Sequence, residues 1–527
     1  MELKICQSRK PRVVIIGAGI SGLAAARRLA KFPVFDLTVL EASHRVGGRI
    51  HTCQFSTSEQ VEIGATWIHG VEGSPIYQIA EEANALHGNV PFECMDGFPE
   101  PPIYKAEGGV TVDNAVARPV AGLYKELVAE INNLRGDPAA FAKLEDSDAD
   151  SLGSFLQRRL KKYLLQHRLP EKYPAGWNAK LIQEGVFAIQ ENWERCVTAA
   201  ASLHDLDLAA FNEYWEFPGE QITIAKGFSS VVHYMAKSLP PNTIQFSKKV
   251  EKVVWSSGDS SNTFPVKVHC EDGSVLEADH VIVTVSLGVL KAKALANSDG
   301  RDGECPLFQP LLPTWKLEAI EKLGFGVVDK LFVLMEPTED GRHPNLQLIH
   351  RPVNSDGRRV SSSPDWMRKT HSMYPIRKKS NVLVAWFAGD EARAMEALSD
   401  EEVAKGVQFT LANFGDKRLV AGLGNKLGTC TNGKEKNVSI LRGQWYQNPL
   451  FRGSYSYVAV GSSGEDIDVL AEPVPRLSEN IKPAAPLQLL FAGEATHREQ
   501  YSTTHGAYFS GLREAERLVQ HYKILES

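Results

Sequence analysis

The chain has 527 residues, 43% hydrophobic and 23% charged, with 58 basic side chains against 64 acidic ones. That composition is too apolar for a disordered chain, and at roughly 150 residues per unit it leaves room for about three units with a large core and no need of staples. A net charge of -6 argues against a nucleic-acid protein, and seven scattered cysteines form neither a CxxC pair nor a zinc spacing.

Residues 12–42 read as strand, glycine turn, helix and second strand. Arg12–Ile16 is a β-branched run, Gly17-Ala18-Gly19-Ile20-Ser21-Gly22 the turn, and an Ala/Leu/Arg-rich helix runs to about Ala30 before a strand at Leu37–Leu40. Residues 96–225 carry helical patterns, with loose loops near 97–109 and 136–152. Asp279–Leu290 is apolar almost throughout and predicts a strand in a sheet covered on both faces. Residues 311–450 mix strands such as Lys330–Met335 and Asn381–Ala388 with charged helices. Gln488–Gly493 then leads into a helix from about His505 to His521.

These textures predict an α/β fold. A discontinuous Rossmann-type nucleotide-binding domain takes 1–95, 219–310 and 452–527, and a mixed α/β substrate-binding domain takes 96–218 and 311–451. The charged first residues lack the apolar centre of a signal peptide, and no run approaches the roughly 18 apolar residues of a membrane span. A cytoplasmic setting is expected, with the sequon at Asn437 idle. The basic stretch Arg158–Arg168 reads as a solvated amphipathic helix, not as a membrane or RNA site.

Gly17-x-Gly19-x-x-Gly22 lies between a strand and a helix, and Glu41 closes the next strand 19 residues past Gly22. The glycines allow a pyrophosphate to approach the helix N-terminus, and a carboxylate at that distance takes ribose hydroxyls. Outside this context the pattern is a plain glycine-rich turn; within it, dinucleotide binding is the stronger reading. Beyond Glu41 stand Gly47, Gly48 and Arg49, an extension that nicotinamide dehydrogenases do not need. Further blocks are Glu62–Gly70, Asp272–Ala292, Leu323–Phe332, Phe451–Gly464 and Gly493–Ala515.

Together these blocks resemble the flavin-dependent amine oxidases, and within them the polyamine oxidases, above all the plant cytosolic type that acts on tetraamines. The resemblance touches most of the chain except about 97–175 and 336–440. It implies FAD, with Gly17, Gly19 and Gly22 facing its pyrophosphate, Glu41 its ribose and Arg49 its phosphates. Gly64, Ala65, Thr66 and Trp67 would line the flavin ring, Val250 would contact the adenine through its backbone, and Trp445 would pack near the ring. Glu494 would meet the ribityl–pyrophosphate region. Thr503 and Thr504 would stand at the pyrimidine end, Thr504 toward the cofactor and Thr503 toward the substrate. A helix starting near His505 would aim its positive end at the ring.

The same resemblance implies that Lys330 holds a water beside flavin N5; the plain alternative is a strand-edge lysine. His69 falls where some plant relatives carry glutamate and the animal enzymes histidine, so it either orients the amine and takes its proton or is a satisfied buried histidine. A polycationic substrate calls for carboxylates and aromatic faces. Glu184, Glu191 and Glu194 recur at i, i+7 and i+10 on roughly one helical face. Glu194 best matches the active-site acid of the animal enzymes, Glu184 is a second candidate, and a solvated face is the alternative for both. Tyr455 and Tyr457 are candidates for an aromatic wall.

The monoamine oxidases carry a cysteine in the block equivalent to Gly453–Val460. Here the last cysteine is Cys430, so FAD is expected to be noncovalent. The implied reaction converts spermine, thermospermine or norspermine to a triamine, 3-aminopropanal and hydrogen peroxide, with oxygen as acceptor and without a metal. The rival readings are another flavin amine oxidase and an FAD-fold binding protein without chemistry.

Overall fold

The computed structural model describes residues 9–56, 59–88, 101–167, 173–211, 213–255, 264–296, 305–338, 342–352, 363–415, 440–476 and 486–524. Asn437 and Cys430 lie outside them.

A five-stranded parallel sheet draws its strands from distant parts of the chain. In spatial order they are Leu489–Phe491, His280–Val283, Arg12–Ile16, Asp36–Leu40 and Ile244–Gln245. The central strand shows why the sequence there is an unbroken apolar run. Val13 and Ile15 enter the core shared with Leu23 and Leu29 of helix Ile20–Leu29, whereas Val14 and Ile16 enter the core of the opposite face with Val253 and Phe491. Side chains alternate across a strand, so only a sheet covered on both faces buries all four.

Helix Ile20–Leu29 packs against the C-terminal helix Thr504–His521 at close range. A Cβ on Gly511 would stand 2.1 Å from the Ser21 carbonyl oxygen, so this crossing tolerates no side chain there.

The run Asp279–Leu290 departs from the expected strand. Only His280–Val283 is a strand; Ser286 then caps a helix, Leu287–Ala294, its hydroxyl accepting the Val289 N–H at 3.2 Å. A buried strand and a short buried helix are equally apolar, and periodicity alone does not separate them.

The second sheet has seven strands, in the order Ile440–Arg442, Val328–Leu334, Val382–Ala388, Ser372–Pro375, Leu346–Ile349, Ile103–Ala106 and Val110–Thr111. Its neighbours are antiparallel except Leu346–Ile349 beside Ile103–Ala106. Helices Asn114–Asn132 and Ala179–Thr198 pack together beside it, sharing a core with Phe155, Ile182 and Ile349. In helix Leu152–Gln166 three of the four basic residues are paired: Arg158 with Asp148 at 2.8 Å, Arg159 with Glu130 at 3.0 Å and Lys162 with Glu145 at 2.7 Å. Among the described residues no helix is long and apolar enough to cross a membrane. The architecture is thus α/β, a Rossmann-type parallel sheet joined to a second mixed unit.

Candidate active site

A cavity of about 760 Å³ is lined from both sheets. At one end the strand Arg12–Ile16 runs into Gly17, whose φ of +108° and contact with Thr284 admit only glycine: a Cβ would meet Thr284 Oγ1 at 2.6 Å. Gly19 caps the following helix with no side-chain bond. A Cβ on it would find no protein atom nearer than the Gly47 carbonyl oxygen at 4.0 Å, and its open side is the cavity. Gly22 does not line the cavity, contrary to the expectation that it faces a pyrophosphate. A Cβ there would stand 2.0 Å from the Gly17 carbonyl oxygen and 3.2 Å from Ile15 Cγ2, so its smallness lets helix pack on strand.

Glu41 lies at the same end, closing the second strand. Its Oε2 accepts the Ala18 N–H at 2.8 Å, and its Oε1 accepts the Ser43 N–H at 2.8 Å and hydroxyl at 2.7 Å. A carboxylate so held keeps lone pairs for further donors. Val250, which opens strand Val250–Trp255, completes this end.

In the middle, Arg49 Nη1 donates to the Ser454 carbonyl at 2.8 Å and to Glu494 Oε1 at 2.7 Å. Glu494 Oε2 in turn accepts from the Ser456 hydroxyl at 2.6 Å and the Ser502 N–H at 3.0 Å. Glu494 therefore reaches the cavity with its oxygens bonded inside the protein, and the cation it steadies, Arg49, is the group left to face an anion. Gly64, Ala65, Thr66 and Trp67 follow along the wall. Gly64 is pressed so closely that a Cβ would stand 1.8 Å from the Arg49 carbonyl oxygen. Trp445 is buried beside them, its indole N–H donating to the Ile63 carbonyl at 3.3 Å.

The first turn of helix Thr504–His521 also opens on the cavity. Thr503 is its N-cap: the hydroxyl accepts the Gly506 N–H at 3.1 Å and donates to the Gln500 carbonyl at 2.7 Å. Thr503 also lines the cavity, and its hydroxyl keeps one lone pair for a further donor. Thr504 Oγ1 is the opposite case, buried against the cavity with no hydrogen-bond partner among the described residues.

Lys330 comes from the second sheet. Along Val328–Leu334 alternate residues face opposite ways, and Lys330 sits across from Trp386 in the neighbouring strand, its Nζ 4.6 Å from that ring's centroid. The Nζ donates to the Glu62 carbonyl at 2.7 Å, to the Gly64 carbonyl at 2.5 Å and to the Thr66 hydroxyl. Burial lowers its pKa and raises that of the Glu62 carboxyl, each partner's charge opposing the other's shift.

Further along, Glu194 is buried on the wall and accepts the Tyr124 hydroxyl at 2.5 Å. Burial raises its pKa, the Tyr124 bond opposes that, and a second carboxylate, Glu216, adds to it. Tyr455 forms part of the same wall, its hydroxyl donating to the Cys196 carbonyl. His69 also lines the cavity, its Nδ1 2.9 Å from Gln221 Oε1.

Glu184 is elsewhere: it pairs with Lys180 at 3.6 Å, toward solvent. Ten residues along a helix of 3.6 per turn leave two side chains about 80° apart, enough to put Glu194 in the cavity and Glu184 outside it. Sequence reasoning missed Glu216, Gln221, Tyr124 and Trp386. Glu216 stands in an aromatic block, Tyr214-Trp215-Glu216-Phe217, that carried the only available signal.

These features suit FAD. Gly19 leaves a cradle open, Thr504 holds a buried hydroxyl with nothing to bond, Arg49 and two helix N-termini supply positive charge for a pyrophosphate, and Glu41 stands ready for a ribose. The family described as flavin containing amine oxidoreductase matches this chain over residues 20–519. The chain is 43% identical to the probable polyamine oxidase 5 of Arabidopsis thaliana, over 98% of this chain and 99% of that protein. It is 42% identical to polyamine oxidase 1 of Oryza sativa subsp. japonica, over 98% of each. Against the peroxisomal N(1)-acetyl-spermine/spermidine oxidase of Homo sapiens it is 36% identical, over 97% of this chain and 95% of that one. The chain belongs to the flavin-containing amine oxidoreductase family. It is an FAD-dependent amine oxidase.

Proposed function

We propose that this enzyme oxidises polyamines by back-conversion, taking tetraamines such as spermine, thermospermine and norspermine to a triamine, 3-aminopropanal and hydrogen peroxide. The observation that carries the reading is Glu194, a buried carboxylate in the same cavity as Lys330, with Glu216 and aromatic rings on the same walls. A chain of ammonium groups needs that mixture of acids and ring faces. An ammonium beside Glu194 would favour its charged form and offset the cost of burying it. The names of the three relatives above add support for a polyamine substrate.

Bound FAD supplies the acceptor for a hydride from the carbon beside a secondary amine and passes the electrons on to oxygen. The residues of the chain prepare that transfer. The substrate nitrogen must first be neutral, because an ammonium has no lone pair to stabilise the developing iminium. His69, with Nδ1 engaged by Gln221, offers Nε2 to orient the amine or take its proton. Lys330, held by three oxygens, keeps one fixed nitrogen at the wall formed by Gly64 and Thr66. Trp445 and Tyr455 supply walls that keep bulk water out. Water then splits the imine into triamine and aldehyde; two electrons and two protons leave the substrate and end on oxygen as peroxide.

We assign FAD to the unit of the five-stranded sheet (1–95, 219–310 and 452–527) and the substrate to the unit of the seven-stranded sheet (96–218 and 311–451). FAD would be held without a covalent bond: residues 453–460 contain no cysteine, and burial pushes the thiol of Cys196, on the cavity wall, up to about 12.

The direct test is anaerobic addition of spermine, thermospermine, spermidine and N-acetylspermine to the purified yellow protein, following the oxidised-flavin absorbance. Rapid bleaching by the free tetraamines is expected; no bleaching by any of them, with flavin present, sinks the reading. Glu194→Gln should raise KM for tetraamines about tenfold, the value of one charged hydrogen bond, with FAD content unchanged. An unchanged KM would leave Glu194 as a structural partner of Tyr124.

A further inference from the structure

An isolated antiparallel bridge sets two cavity residues face to face. Ile68 N–H donates to the Ile222 carbonyl at 2.8 Å and Ile222 N–H to the Ile68 carbonyl at 3.1 Å. The next residues outward, His69 and Gln221, therefore stand opposite each other with their side chains on one face. The chain before Gln221 turns at Gly219, with φ of +92°, and brings back Glu216. Gly70 holds the two segments together so tightly that a Cβ on it would stand 1.9 Å from the Phe217 carbonyl oxygen.

The hydrogen bonds then run in one line. His69 Nδ1 lies 2.9 Å from Gln221 Oε1, and Gln221 Nε2 donates to Glu216 Oε2 at 2.8 Å. The Tyr214 hydroxyl donates to Glu216 Oε1 at 3.3 Å. All four residues line the cavity. A carboxylate can only accept, so the amide must turn its NH2 to Glu216 and its oxygen to His69. That oxygen can only accept, so His69 Nδ1 must donate.

We infer that Glu216, acting through Gln221, holds neutral His69 in the Nδ1–H tautomer and so reserves Nε2 as the ring's lone pair. Histidine in water prefers the opposite tautomer, which would place a proton where the mechanism needs an acceptor. His69 makes no other hydrogen bond among the described residues. The neighbouring ring, His505, is bonded to Ser74 and kept neutral, burial lowering its pKa to about 3. Glu216 and Gln221 are thus positioning residues. The inference rests on the proposed reading that His69 meets the substrate amine.

Nitrogen NMR of the holoenzyme with 15N-labelled histidine reads the tautomer directly, the His69 signals being identified by their loss in His69→Gln. In its neutral form the wild-type ring should show a protonated Nδ1 and a bare Nε2. Glu216→Gln and Gln221→Ala should each shift the ring toward the Nε2–H form, with the double variant adding nothing, because both break one line. Glu216→Asp should recover part of the wild-type spectrum. In steady-state assays both single variants should lower kcat several-fold. Unchanged His69 shifts in Glu216→Gln, with only KM raised, would overturn the inference and make Glu216 a simple anchor for a cation. If the tautomer responds as expected but His69→Gln oxidises polyamines at the wild-type rate, the positioning stands and the assigned role of His69 falls.

Discussion

Lys330→Met is expected to slow flavin reduction by amines, or its reoxidation by oxygen, about a hundredfold or more while FAD stays bound. The reasoning starts from the cost of keeping an ammonium at that point. Lys330 is buried in an apolar strand, across from a tryptophan, and burial has moved its pKa down. Two of its three acceptors are backbone carbonyls of the loop that lines the proposed flavin site, so its position is coupled to that loop.

Its pH signature follows in sign. Substrate amines lose protons as pH rises, which raises the rate. Lys330, with a lowered pKa, loses its charge earlier than an ordinary lysine, removing a positive group that favours negative charge nearby. The wild type should therefore rise and then fall with pH, and Lys330→Met should lack the falling limb. Stopped-flow reduction and reoxidation across pH decide this. Wild-type rates for both would remove Lys330 from the chemistry.

How much of this was legible depended on how locally each feature is encoded. Gly17, Gly19 and Glu41 lie within one strand–turn–helix–strand unit, where spacing alone implies geometry. Lys330 was named from the block Leu323–Phe332 that carries the resemblance, not from spacing, which reads a lone lysine there as a strand-edge residue. The pairs that complete the site join distant segments and left no trace in spacing: Tyr124 with Glu194, Lys330 with Trp386, His69 with Gln221. Each depends on a register between segments the sequence does not align. The N-cap use of Thr503 went unread for a different reason, since spacing does not separate a capping threonine from one that only meets a ligand. The Ser286 cap inside Asp279–Leu290 was overlooked for the same reason.

Two of the three glycines of the first turn, Gly22 and Gly19, should fail in opposite ways when changed to alanine. In Gly22→Ala the new methyl meets the Gly17 carbonyl at 2.0 Å, so helix and strand must separate, an overpacking that costs about 1–3 kcal/mol. The apoprotein's Tm should fall, and FAD binding should be lost with it. In Gly19→Ala the methyl meets no protein atom closer than 4.0 Å, and the residue's extended φ of -70° suits alanine. The apoprotein should melt like the wild type, while FAD affinity should drop at least tenfold, because only the cofactor would occupy the space the methyl takes. Apoprotein melting and flavin titration on the same samples separate the two effects. Wild-type FAD affinity in Gly19→Ala would mean that the pyrophosphate does not pass over this turn, and the dinucleotide would have to be placed elsewhere in the cavity.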